Sequence, residues 1–195
     1  MECSTTKVPA VRVPHIVEPG RESLGRMLAS LEQEITRSGW DQPPRLFTLD
    51  RLSDREVGIR PLVAPEASVD PELLLSVAAE DFATPPYRHA LPSVLGPSYF
   101  GLLISFEGWA RVGANVETTD PDRPLADQVG SEECRVLVLR TRAGRELMLR
   151  RLRKGHRVVS TAAGPVLREL RALMKVVDAA WDSASGLVPN TRQPQ

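Results

Sequence analysis

The sequence predicts an α+β fold, a mostly antiparallel sheet packed against an N-terminal and a C-terminal amphipathic helix. Three observations predict it. Apolar residues recur at spacings of three and four near both ends of the chain. Runs rich in branched and aromatic residues lie between them. Two of those runs are joined by the short segment Arg142-Ala143-Gly144-Arg145, a length that suits a β-hairpin.

The first helix is expected over 21–38, where Leu24, Met27, Leu28, Leu31 and Ile35 form one stripe and Gly39 supplies the stop. Trp40-Asp41-Gln42-Pro43-Pro44-Arg45-Leu46-Phe47 is then a proline-stiffened turn leading into a strand. Its two prolines fix two φ angles and remove two donors. Residues 56–63 read as a short edge strand, because Pro61 argues against a central one. A short helix follows at 71–81, capped by Asp70 with Pro71 at its first position, and a second at 86–95 is interrupted by Pro92. Tyr99 to Ala110 is the most apolar stretch and reads as a central strand. Residues 114–130, acidic and proline-bearing, form a loop. Cys134–Thr141 and Glu146–Arg153 make the hairpin, with Gly144 taking positive φ, and Val158 and Val159 begin another strand. The last helix spans 164–182 with Val166, Leu167, Leu170, Leu173, Met174, Val177 and Trp181 on one face. Residues 1–20, with three prolines and no apolar period, read as a flexible arm, 21–182 as a single domain, and 183–195 as a disordered tail.

Composition limits the function. Of 195 residues, 25 are Lys or Arg and 25 Asp or Glu, with 42% hydrophobic, 5% aromatic and 17 prolines. That excludes a collagen-like, coiled-coil or wholly disordered chain and a uniformly basic nucleic-acid binder. No apolar run approaches the ~20 residues that span a bilayer, so no membrane partner is expected. The N-terminus shows no signal-peptide pattern, and Cys3 and Cys134 make a poor disulfide framework. A reducing, cytoplasmic location is the expectation. Two cysteines and three scattered histidines, His15, His89 and His156, lack metal-ligand spacing, so no metal and no cofactor are expected.

The zero net charge conceals a polarity. From Arg135 to Arg157 there are nine bases and one acid, Glu146, a surplus of eight; the remainder holds 16 bases and 24 acids. Arg150, Arg151, Arg153, Lys154 and Arg157 gather near one end of the hairpin, where they would meet phosphates or an acidic protein. The plainer account is a solvated sheet face, or neutralisation by the chain's own acidic loop.

Glu107 is the most distinctive single residue. A carboxylate between Phe106 and Gly108-Trp109 is placed for desolvation and acid–base work, although the preferred account is plainer: it sits at the strand end, on the wet face, or pairs with an Arg across the sheet. Asp41 beside Trp40 is read as a turn-former, and Asp50, Asp54 and Glu56 as loop solvation. There is no Gly-x-Ser-x-Gly, Cys-x-x-Cys, Walker loop or Gly-x-Gly-x-x-Gly, and a helix opening at Ala163-Gly164-Pro165 is a weak anion signal.

Gly39-Trp40-Asp41-Gln42-Pro43-Pro44-Arg45-Leu46-Phe47 resembles a Gly-Trp-Asp-x-Pro-Pro-x-Leu-Phe segment that follows an amphipathic helix in small proteins of actinobacteria and their phages. Several of these also carry a Glu-Gly-Trp-like element, matched by Glu107-Gly108-Trp109. The resemblance spans residues 21–153 and implies an actinobacterial or phage-encoded accessory protein, with no catalytic role to carry over. The expectation is therefore a non-enzymatic protein acting through protein–protein contacts. The contact candidates are Trp40, Asp41, Pro43, Pro44, Phe47, Glu107 and Trp109, since a braced aromatic is a low-entropy anchor. The opposing account is that Trp40 and Phe47 staple the first helix to the sheet. The alternatives are a nucleic-acid-binding module on the 135–157 bases and an enzyme using Glu107. Exposed edge strands allow a homodimer.

Overall fold

Arg21–Thr36 forms α1 because Leu24, Met27, Leu28 and Leu31 all fall on one side and are buried. The turn that follows it closes at Gly39, whose φ of 86° glycine adopts without strain. The computed structural model describes residues 10–12, 21–53, 56–96, 98–111 and 123–184. Ahead of α1, Ala10–Arg12 is strand β1; after it come β2 (Arg45–Ser53), β3 (Glu56–Val63), α2 (Pro71–Ala83), α3 (Pro85–Val94) and β4 (Tyr99–Arg111). A 3-10 turn at Leu125–Asp127 precedes β5 (Ser131–Thr141), β6 (Glu146–Leu152), β7 (Arg157–Ser160) and α4 (Pro165–Ala184). No described helix is long and apolar enough to cross a membrane.

The strands form one seven-stranded antiparallel sheet in the order β1-β3-β2-β4-β5-β6-β7, with β4 at its centre. Helices cover both faces. On one, α1 packs against Phe47, Leu49, Val57, Ile59, Leu103, Leu137, Leu139, Leu147 and Leu149. On the other, α2, α3 and α4 pack against Leu46, Leu102, Ile104, Val136 and Val138. Burial from both sides explains why β4 and β5 read as continuous apolar runs: alternation disappears when neither face is wet.

The α+β class stands, and three local expectations change. Ala10–Arg12, placed in the flexible arm, pairs with Glu56–Gly58 as β1, so β3 is not the edge there. Pro61 lies beyond that pairing, opposite Phe47 of β2 and next to a shift in the β2–β3 register. Ser183, assigned to the tail, belongs to α4. Asp50, read as loop solvation, is a buried residue of β2 whose Oδ2 accepts both Nε (2.9 Å) and a terminal nitrogen (2.6 Å) of Arg60. Gly96 packs so closely on that pair that a Cβ would collide with both side chains. Cys3, His15, Asp54, the 112–122 part of the loop and residues 185–195 lie outside the described residues, whereas Cys134 is a buried free thiol in β5.

Candidate protein-contact cleft

The cleft is founded on a charged rung of the sheet. Glu107, Arg135, Arg151 and Arg157 stand directly opposite one another across β4, β5, β6 and β7, on the face that α1 covers. Three neighbouring guanidiniums would repel, and Glu32 of α1 lies over them. Its carboxylate is 2.8 Å from Arg151, 3.1 Å from Arg157 and 4.0 Å from Arg135, and it is fully buried. Thr36, one turn on, accepts from Arg135 (2.8 Å) and Arg151 (2.9 Å) and donates to Glu32.

Glu107 closes the other end of the rung. Its Oε1 accepts from Arg135 at 2.5 Å and 3.1 Å, and its Oε2 from the backbone N–H groups of Asp41 (2.6 Å) and Gln42 (3.3 Å). Arg135 also donates to the carbonyl of Gly39. These bonds hold the Gly39–Gln42 turn against β4, with Asp41 at a φ of 64°. Trp40 is half-buried between two guanidiniums, those of Arg135 (4.9 Å to the ring centroid) and Arg153 (5.3 Å). The Gly39–Phe47 and Glu107–Trp109 segments, far apart in sequence, are thus one unit in space.

Beside that unit opens a cleft of about 460 Å³, lined by Asp41, Gln42, Pro43, Pro44, Glu66, Ser68, Val69, Pro71, Phe106, Glu107, Gly108, Trp109 and Glu133. It exists because β2 stops pairing with β4 at Arg45 opposite Ser105, while β4 runs on to Arg111. The Pro43-Pro44 pair that precedes β2 has no N–H to extend the ladder. Trp109, one of the residues lining the cleft, is 46% exposed.

The seven contact candidates separate accordingly. Asp41, Pro43, Pro44, Glu107 and Trp109 line the cleft, whereas Trp40 lies outside its lining and Phe47 is buried in the α1-side core. Phe47 therefore cannot present a contact surface; it staples α1 to the sheet. Glu66, Ser68 and Val69 from the β3–α2 connection, and Pro71 at the start of α2, complete the wall, and the sequence marked none of them as a contact residue.

Carboxylate oxygens of Asp41, Glu107 and Glu133 lie within 4.8 Å of one another. Glu107 is bonded to Arg135, and Glu133 to Arg153, which also approaches Asp41 at 3.8 Å. Both oxygens of Glu107 are engaged, which leaves it shaped as a positioning acceptor.

The basic segment is largely matched within the chain. Arg151 and Arg157 meet Glu32, Arg153 meets Glu133, and Lys154 lies 3.9 Å from Glu132. Arg135, Arg140 and Arg142 are likewise paired, with Glu107, Glu146 and Asp178. Seven of the nine bases thus have internal counter-charges, and Arg150 is the one nucleic-acid candidate without an ion pair among the described residues. Comparison with family models, curated proteins and solved structures returned no match to this chain.

Proposed function

We propose that this chain is a non-catalytic, cytoplasmic accessory protein that works through protein–protein contacts, with the cleft beside β4 as its contact surface. One observation carries the reading: Trp109 stands 46% exposed at the rim of a cleft whose other walls are braced by prolines and by the buried Glu107–Arg135 pair. A rigid rim with an aromatic anchor loses little entropy on binding, the usual property of an interface hot spot. The enzyme reading is less favoured because Glu107 has no free oxygen to offer a substrate proton. The nucleic-acid reading is less favoured because the basic segment is internally paired.

The test is site-specific photo-crosslinking in the native host. A benzoylphenylalanine placed at Trp109 should give a discrete adduct with one partner protein. The same group at Tyr87, exposed on α3 away from the cleft lining, should not. Equal labelling from both positions, or none from Trp109, refutes the reading.

A further inference from the structure

The cleft is bounded by an unfinished edge of the sheet. From Phe106 to Ala110, β4 pairs with β5 on one side, and no described strand pairs with it on the other. Alternate residues of an antiparallel strand direct their N–H and C=O groups away from a given neighbour, so this stretch offers about 17 Å of ladder to an added strand. Gly108 lies at its middle, and a Cβ built there would meet nothing within 4 Å, so another backbone can approach closely.

Charge selects what approaches. The cleft lining contains four carboxylates; those of Glu107 and Glu133 are already paired with Arg135 and Arg153, which leaves the exposed Asp41 and Glu66 to face an incoming segment. The chain's own residues 112–122 carry Glu117, Asp120 and Asp122 and no base, so their sequence lacks the basic side chains that exposed carboxylates select. A second copy offering the same edge would set acid against acid. The two faces of the strand also differ. Glu107 and Trp109 point to the side of Asp41 and Glu133, whereas Phe106 points to the side of the α2–α4 core.

We propose that the free edge of β4 takes an extended segment of a partner protein as an added strand, in which basic residues alternate with apolar ones. Alternate Arg or Lys side chains lie over Trp109 and the exposed carboxylates of Asp41 and Glu66, and the apolar side chains between them lie against Phe106 and Val69. Main-chain hydrogen bonds supply affinity, and the two faces supply specificity. This rests on the cleft being the contact surface and names the class of partner it takes.

The probe is an acetylated, amidated peptide of the pattern Ala-Arg-Val-Arg-Val-Arg-Ala, used with the full-length protein. Two analogues accompany it, one N-methylated at alternate amides and one with Glu for Arg. Isothermal titration and amide exchange are the readouts. The basic peptide should bind and slow exchange within Glu107–Ala110, and both analogues should bind at least tenfold more weakly. Glu66→Lys, on an exposed loop position outside the core, should weaken the basic peptide several-fold while leaving thermal unfolding unchanged.

Equal binding of the N-methylated analogue overturns strand addition. Equal binding of the acidic analogue overturns the charge class. Binding by none of the three overturns the proposed occupant. An adduct at Trp109 alongside any of these results leaves the protein-contact reading standing by itself.

Discussion

At the scale of single residues, the site depends on charges that would be intolerable alone. Arg135 is 1% exposed and is held at once by Glu107, Thr36, Gly39 and the ring of Trp40, with Glu32 above it. Removing one member of such a group leaves the others buried and uncompensated. Arg135→Met should therefore lose about 3 kcal/mol in urea denaturation. Arg135→Lys should rescue little of that, because a point charge cannot reach Glu107, Thr36 and Gly39 together. Combining Arg135→Met with Glu107→Gln should cost about 1 kcal/mol or more less than the sum of the single changes, the signature of direct coupling. Strict additivity would mean that the pair does not hold the turn. The sequence showed nine bases in one segment but not this rung. Arg135, Arg151 and Arg157 become neighbours only through strand register, and Glu32 joins them from a helix about a hundred residues earlier. Pairing with an Arg across the sheet was one of three plain accounts open for Glu107, and its role as acceptor for the backbone of Asp41 and Gln42 was not among them.

Between elements, α4 is fastened to the sheet by two carboxylates that titrate in opposite senses. Glu146 of β6 accepts from Arg171 of α4 at 2.5 Å and 2.7 Å and pairs with Arg140 of β5. The hydrogen bonds from Arg171, aided by the charge of Arg140 and opposed by partial burial, hold its carboxyl below the ordinary glutamate range. Its contribution is then complete above the unfolded value of about 4.3 and is lost as pH falls through the lower folded value. Glu146→Gln should cost about 1 kcal/mol at neutral pH, limited by the exposure of Arg171, and should flatten the acid limb of the stability curve below about pH 4.

Asp178 of α4 behaves inversely. Burial beside Tyr99 lifts its carboxyl above the usual range, with Arg142 only partly offsetting this. A raised carboxyl favours the protonated folded state, so its contribution is present below the unfolded value of about 3.9 and is lost as pH rises through the folded one. Asp178→Asn, which removes the charge while keeping the side chain's shape, should raise Tm at pH 7 and leave it unchanged at pH 3. A lower Tm at pH 7 would show that the Arg142 pair outweighs the burial. Both helices and most strands at this scale were readable, since their apolar periods are long. β1 was not, because three residues among prolines carry no period, and Asp50 was not, because its partner Arg60 lies on the adjacent strand.

At the scale of the whole molecule, one sheet serves two cores. Leu103 and Leu137 face α1, while Ile104 and Val138, their immediate neighbours in β4 and β5, face α2 and α4. The sequence revealed that β4 is central and apolar, but a continuous apolar run does not say which helix covers which face. Because the strands are shared, neither core can dissolve without exposing the back of the other. Leu28→Ala on the α1 side and Leu170→Ala on the α4 side should each cost about 2–5 kcal/mol. More telling is how the loss is distributed. Trp40 reports on the end of α1 and Trp181, edge-on to Tyr99, on α4, so two variants each retaining one of these indoles follow the two faces separately. If the sheet couples the faces, either leucine substitution lowers the urea midpoint seen by both indoles equally, and each indole transition coincides with far-UV circular dichroism. An α1 transition preceding the rest would instead mean that the helix bearing Glu32 melts on its own. The charged rung beneath it would then open, and with it the floor of the cleft, before the α4 side unfolds.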